Sequence, residues 1–202
     1  ISRYKIPPEV TAISMAAFSH SQLTSIGIPN SVETIEQFAF SHCTQLKELF
    51  IPSGVSTIHE NSLYKCCSLV SISVDENNKY YASIDNVLYN KDITKLICFP
   101  CLKDLNEFTI PDGVRSISDH AFSQCNVLKS ITIPATVESI GQKSFVNCNY
   151  LINISVDSNN QHFQSVDGAL YTKNLQTLVY FPSQNINKNI SIPSSVTKIL
   201  DH

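Results

Sequence analysis

Seven cysteines and six histidines are the side chains of this 202-residue chain best suited to chemistry, as nucleophiles, metal ligands or disulfide partners. Their spacing favours something plainer. Cys43, Cys66, Cys125 and Cys148 each follow, by three residues, a Phe or Leu (Phe40, Leu63, Phe122, Phe145). The odd total speaks against a complete disulfide framework. A ladder of reduced thiols, packed as small hydrophobes, is the favoured reading; bridges between neighbouring rungs, and a metal site, are the alternatives. Cys98-Phe-Pro-Cys101 has CxxC spacing, but no second CxxC completes a zinc set. There is no Gly-x-Ser-x-Gly, no HExxH and no phosphate-cradling glycine loop, and only five glycines occur in all. Asp75 and Asp157 open Asp-x-Asn-Asn runs. Calcium would need more oxygen ligands at graded spacing, so an Asx turn ending a strand is expected there. Asn153-Ile-Ser155 and Asn189-Ile-Ser191 match the N-glycosylation triplet, which arises easily by chance in a chain this rich in Ser and Asn. No catalytic residues, cofactor site or metal site are legible, and the chain reads as non-enzymatic.

The elements that position these residues are repeats. Ile-Pro pairs recur at Ile6, Ile28, Ile51, Ile110, Ile133 and Ile192, and Val74-Asp75 and Val156-Asp157 hold the same place without the proline. The steps are roughly 22 or 23 residues, lengthened to about 36 after Val74 and Val156. A second period lies over the first. Ile28–Thr109 aligns on Ile110–Ser191 without a gap, with about 31 identities in about 82 positions. That is a tandem duplication of a three-repeat block. Cys98 and Cys101 have Tyr180 and Ser183 as their counterparts in the duplicate, so the CxxC reads as structural. His20 and His42 share one repeat position, in a column that continues with Lys65, Gln124 and Asn147 and reads as solvated.

Before most landmarks runs Leu-x-x-Ile-x-Ile, as in Leu128, Ile131 and Ile133. Apolar residues two apart predict one strand per repeat with one buried face. Such strands can pair only with their neighbours in parallel, predicting a long sheet along the array. The proline then removes a ladder donor and ends each strand in register. Val-x-x-Ile (Val32/Ile35, Val114/Ile117) predicts a second short strand. Ala39-Phe40, Ala121-Phe122 and Ser144-Phe145 predict a turn or two of helix on the convex side. In the long repeats, 82–100 and 164–182 alternate apolar and polar residues about polar turns at Asn90–Thr94 and Thr172–Gln176. That pattern predicts a β-hairpin protruding from the back at two equivalent sites.

The expected fold is an α/β repeat solenoid, β-rich and right-handed, forming one domain over 1–202. A parallel sheet takes one face, and short helical turns with two hairpin insertions (repeats 74–109 and 156–191) take the other. An opened repeat at the C-terminal end, and no capping unit at either end, read as a piece of a longer protein. Hydrophobic residues make up 43% and charged residues 15%, with net charge −3 and pI near 6.1. This balance gives no basic footprint for nucleic acid. No apolar run reaches the roughly 18 residues of a membrane-spanning helix, and no secretory signal is legible.

Ile-Pro-x-x-Val-x-x-Ile-x-x-x-Ala-Phe-x-x-Cys-x-x-Leu, with its Leu-Tyr hairpin variant, resembles the BspA-like leucine-rich repeat, also called the Treponema pallidum type. The match runs from Ile6 to Ile199, departing at Ser21 in place of Cys and at Leu63 in place of Phe. The resemblance implies a surface or secreted protein of a bacterium or mucosal protozoan, binding host matrix or cell-surface proteins as an adhesin. It carries no catalytic residues. The alternative is an intracellular scaffold, suggested by the unbridged thiols, and a cytoplasmic location stays open. Thiol state, the partner, glycosylation and oligomeric state are not legible in the sequence.

The expected binding face is the outward side of the sheet: Lys47, Glu48 and Phe50; Val70, Ser71 and Ser73; Asn106, Glu107 and Thr109; Lys129, Ser130 and Thr132; Ile152, Asn153 and Ser155. Thr24, Ser25 and Gly27 extend it at one end, and Lys188, Asn189 and Ser191 at the other. Phe50 is the one aromatic in a column of short side chains.

Overall fold

The structure, a computed structural model, describes residues 2–186 and 191–201. Lys188 and Asn189 of the expected face, and the second glycosylation triplet with them, lie outside the described residues. The first rungs run β1 (Ser2–Lys5), β2 (Ala12–Ile13), β3 (Leu23–Gly27), β4 (Thr34–Ile35), β5 (Glu48–Ile51) and β6 (Thr57–Ile58). A long rung follows: β7 (Ser71–Val74), β8 (Tyr81–Ile84), β9 (Val87–Asn90) and β10 (Lys95–Cys98). The duplicate block repeats this order with β11 (Glu107–Thr109), β12 (Ser116–Ile117), β13 (Ser130–Ile133) and β14 (Ser139–Ile140). Its long rung is β15 (Asn153–Val156), β16 (Phe163–Val166), β17 (Ala169–Thr172) and β18 (Thr177–Tyr180), and β19 (Lys198–Ile199) opens another.

One apolar face per strand drives the stacking. Leu49, Ile51, Ile72, Ile131, Ile133 and Ile154 are all at most 1% exposed, and burial of such a side chain is worth about 1.5–3 kcal/mol. No rung closes its own core, so each depends on its neighbours.

The expected long sheet is three short parallel ladders instead: β1 with β3, β5 with β7, and β11–β13–β15. β3 approaches β5, where the Lys47 N–H donates to the Thr24 carbonyl at 3.3 Å, but no strand ladder forms. Between β7 and β11 the long rung intervenes. The expected second short strands form, as β2–β4–β6, β10–β12–β14 and β18–β19.

The expected helical turns are a correction: the described residues contain no helix. Each convex segment holds two left-handed residues four apart: Ala16 and His20, Phe38 and His42, Asn61 and Lys65, His120 and Gln124, Lys143 and Asn147, all with φ between 55° and 66°. A right-handed helix cannot pass through such positions. The hydrogen bonds show what the chain gains. Ala17 and Ser19 donate back to Ser14 and Ala16 in tight turns, while Phe18 and His20 donate across to Ala39 and Ser41 of the next rung at 2.8 and 2.9 Å. A helix would commit every N–H to its own turn and leave the rungs unjoined.

The protruding back hairpin is likewise corrected. The β9–β10 hairpin exists, with its turn at 91–94, but β8 precedes it to make a three-stranded antiparallel meander. Val87, Leu88 and Tyr89 are fully buried, as are Ala169, Leu170 and Tyr171 to within 1%. β9 and β17 therefore cross the core as a layer of the solenoid. Three apolar residues in a row suit a strand covered on both faces. The inner turn, Asp85-Asn86 with φ 49° and 66°, is a two-residue hairpin turn of the primed kind. It reaches the concave side, where the Asn86 carbonyl accepts the Ile72 N–H at 3.0 Å, and the Gly168 carbonyl accepts Ile154 at 2.9 Å in the duplicate.

Candidate protein-binding face

Alternation along each concave strand decides which side chains face outward. In β5, Leu49 and Ile51 are buried while Glu48 and Phe50 are exposed. The ladder register then aligns Glu48 with Ser71 and Phe50 with Ser73. In the second ladder Glu107, Ser130 and Asn153 align, as do Thr109, Thr132 and Ser155. The residues just before the strands stack too: Val70 donates to the Lys47 carbonyl, Lys129 to Asn106 and Ile152 to Lys129, at 2.7–2.8 Å. All fifteen expected residues thus lie on one side of the solenoid, but in two groups. Lys47 to Ser73 and Asn106 to Ser155 are separated by the β8–β10 layer.

The first group carries the apolar surface. Phe50 is 46% exposed and Val70 42%. Beside it, where β3 and β5 fail to pair, a recess of about 280 Å³ is lined by Arg3, Thr24, Ser25, Lys47 and Glu48. In the second group Asn106, Glu107, Thr109 and Lys129 are exposed, and Ser130, Thr132, Ile152, Asn153 and Ser155 are half-exposed. Within the first glycosylation triplet the Asn153 amide donates to Ser155 Oγ at 2.8 Å, so the triplet binds itself.

The thiols form a ladder. Cys43, Cys66 and Cys148 are buried and donate to the carbonyls of Phe18, Phe40 and Phe122 in the preceding rung at 3.0–3.2 Å. Ser21 takes the cysteine's place in the first rung, 3.3 Å from Cys43 Sγ. Burial pushes all of these thiols up, Cys148 to about 12, which leaves little nucleophilic thiolate near neutrality. Of the CxxC pair, Cys101 donates to the Ser123 carbonyl at 3.1 Å, and Cys98 faces a cavity.

The His20 and His42 rings stack at 4.3 Å, with Tyr64 edge-on to His42 at 5.5 Å. The expected column His20, His42, Lys65, Gln124 and Asn147 is one of the two left-handed columns. The Asx turns form as expected: Asp75 Oδ1 accepts Asn77 N–H at 2.9 Å and Asp157 Oδ1 accepts Asn159 N–H at 2.8 Å.

Sequence reasoning missed the residue that follows each Asx turn. Asn78 and Asn160 are 1% and 0% exposed, and each makes four hydrogen bonds. Asn78 Nδ2 donates to the Pro52 and Val55 carbonyls, and its Oδ1 accepts the Tyr80 and Tyr81 N–H groups, at 2.8–2.9 Å. Asn160 repeats this on Pro134, Val137, His162 and Phe163. The signal was present: Asp-x-Asn-Asn survives unchanged in both copies.

Among known structures, a leucine-rich cell surface protein of Faecalibacterium prausnitzii is 32% identical, with a TM-score of 0.78 over 100% of this chain and 50% of its own. The pneumococcal vaccine antigen PcpA is 28% identical, with a TM-score of 0.75 over 80% of this chain and 40% of its own. A leucine-rich repeat protein of Eubacterium ventriosum gives 26% and 0.67, over 98% of this chain and 59% of that one. The chain thus spans from two fifths to three fifths of the length of these proteins. No curated protein matches it. The family model for the BspA type leucine rich repeat region matches residues 1–92 and 93–202, in six copies. Together with the ladders and turns described above, that match over the whole length shows that the chain belongs to the BspA type leucine-rich-repeat family.

Proposed function

We propose that the concave face is a protein-binding surface, and that the chain is an adhesin-type module taking host matrix or cell-surface proteins. Phe50 carries this reading. A ring 46% exposed, paired in register with Ser73, contributes nothing to the core, and large exposed aromatics are the usual anchors of interfaces. Lys47, Glu48 and Arg3 form a charged rim beside it, and Val70 adds apolar area. The F. prausnitzii relative is a cell surface protein and the pneumococcal one a vaccine antigen, which agrees with a surface location.

The purified chain is expected to bind immobilised matrix proteins or epithelial cells, with Phe50→Ser and Lys47→Glu each weakening binding by about tenfold. Both positions are exposed, so the variants keep the fold. Absence of binding sinks the adhesive role, and binding unchanged in both variants sinks this face. A second reading, an intracellular scaffold using the same face, draws on the seven free cysteines. Bridged cysteines on thiol titration of the natively expressed, denatured protein would overturn this second reading, because they are incompatible with a reducing compartment, whereas free thiols are compatible with both.

A further inference from the structure

The duplication supplies an internal control for one cavity. Phenylalanine rings stack through the core as Phe18 on Phe40 and as Phe99, Phe122 and Phe145 in series, at 5.4–5.6 Å. Leu63 interrupts the series. In the second block its counterpart Phe145 meets Tyr180 at 5.3 Å, whereas in the first block the counterpart of Tyr180 is Cys98. Two side chains shorter than their duplicates leave an open cavity of about 290 Å³ between Leu63 and Cys98, walled by Ile58, Tyr64, Tyr80 and Ile97. A ring fits such a volume, since a cavity of about 150 Å³ already admits benzene.

Polar chemistry coincides with the space. Ser118 Oγ, Asn61 Oδ1 and His120 Nδ1 line this cavity, are shielded from solvent and have no hydrogen-bond partner. Ser118 is only 6% exposed. Orphaned buried polar atoms destabilise a fold unless a ligand pairs them, and in the second block two of the three positions hold Lys143 and Leu200 instead. Of the three, only the His120 position keeps its residue type in the duplicate, where Tyr180 lines a different recess with Val179 and Leu200. The Lys95–Glu60 pair, 3.3 Å apart, stands at the rim, and with Asp119 the lining carries a net negative charge.

We infer that this cavity is a binding site for a small free aromatic molecule bearing one N–H or O–H donor, of the phenol or indole class. The ring occupies the place that Phe145 and Tyr180 fill in the duplicate. Its donor meets Asn61 Oδ1, and Ser118 Oγ donates to or accepts from the same substituent. The site is separate from the concave face.

The chain has no tryptophan, so indole fluorescence reports the ligand alone. Titration with indole or p-cresol is expected to saturate with a dissociation constant below about 1 mM. Leu63→Phe with Cys98→Tyr, which copies the second block, is expected to weaken binding at least about tenfold, with a melting temperature at or above the parent's. Should that variant fail to fold, Ser118→Ala carries the test, with about fivefold weaker p-cresol binding and unchanged toluene binding. Three results overturn the assignment: no saturable binding up to about 5 mM, full binding by the filled variant, or a tenfold preference for the peptide Gly-Tyr-Gly over p-cresol. The last would make the occupant a partner's side chain.

Discussion

The two long layers, β8–β10 and β16–β18, have the same backbone path and different fillings. Both turn inward at a left-handed pair, both present that turn to a concave strand, and both hang on one buried asparagine. What differs comes in matched sets. Ser71 and Asn86 in the first layer become Asn153 and Gly168 in the second, and a Cβ at Gly168 would stand 2.8 Å from Asn153 Oδ1. The larger strand residue is accommodated by the smaller turn residue. Tyr81, whose hydroxyl accepts the Ile58 N–H at 2.7 Å, becomes Phe163. Leu63 and Cys98, which line a cavity, become Phe145 and Tyr180, whose rings meet at 5.3 Å. The backbone hydrogen-bond scheme is thus held through the duplication, while side-chain volume is exchanged between neighbours. Interiors packed at crystal-like density permit little else.

The largest expected effect tests the shared part. Asn78→Ala or Asn160→Ala strips four partners from buried backbone groups, and each is expected to cost about 3–4 kcal/mol in urea unfolding. Equal losses would establish the layers as equivalent, while a much smaller loss for Asn160→Ala would show that the second layer contributes less to cooperative unfolding. Next comes the exchanged pair. Gly168→Asn, the first layer's own residue, is expected to cost about 1 kcal/mol, and adding Asn153→Ser is expected to recover most of it. Failure of that rescue would break the claim of compensation. The smallest effect is confined to the first block. Burial, then the charges of His20 and Lys65, hold His42 below its ordinary value. The folded chain therefore binds fewer protons than the unfolded one, and stability present above about pH 6.5 declines as pH falls through that value. His42→Gln, which copies Gln124 of the second block, is expected to flatten the stability profile between about pH 7 and 5, leaving the contribution of His120, which burial also lowers.

Much of the architecture was legible because it repeats. Leu49/Ile51 and Ile131/Ile133 announced inward strand positions, and the ladders place them there. The Asp75 and Asp157 turns were legible from their own side-chain chemistry. The convex turn was not. Its left-handed residues are Ala, Phe, His, Lys, Asn and Gln in a chain with five glycines, so the usual marker of positive φ is missing, and Ala-Phe alone suits a helix as well as a turn. The expected face positions within strands rest on alternation, which Glu48 and Phe50 follow. Their division into two groups was not legible, because it depends on where a meander eighteen residues long, 81–98, is inserted between strands.

By itself the amino-acid sequence determined the rung, the duplication and which side of each strand is apolar, since these follow from periods of two, about 23 and about 82 that no neighbour can alter. Only the tertiary structure decided that the hairpins run through the core, that the convex turns bond between rungs, and that Leu63 and Cys98 line a cavity where Phe145 and Tyr180 pack ring against ring. Those outcomes depend on which donors find acceptors across a rung, and on how Leu63 and Cys98 fill space beside residues distant in the chain.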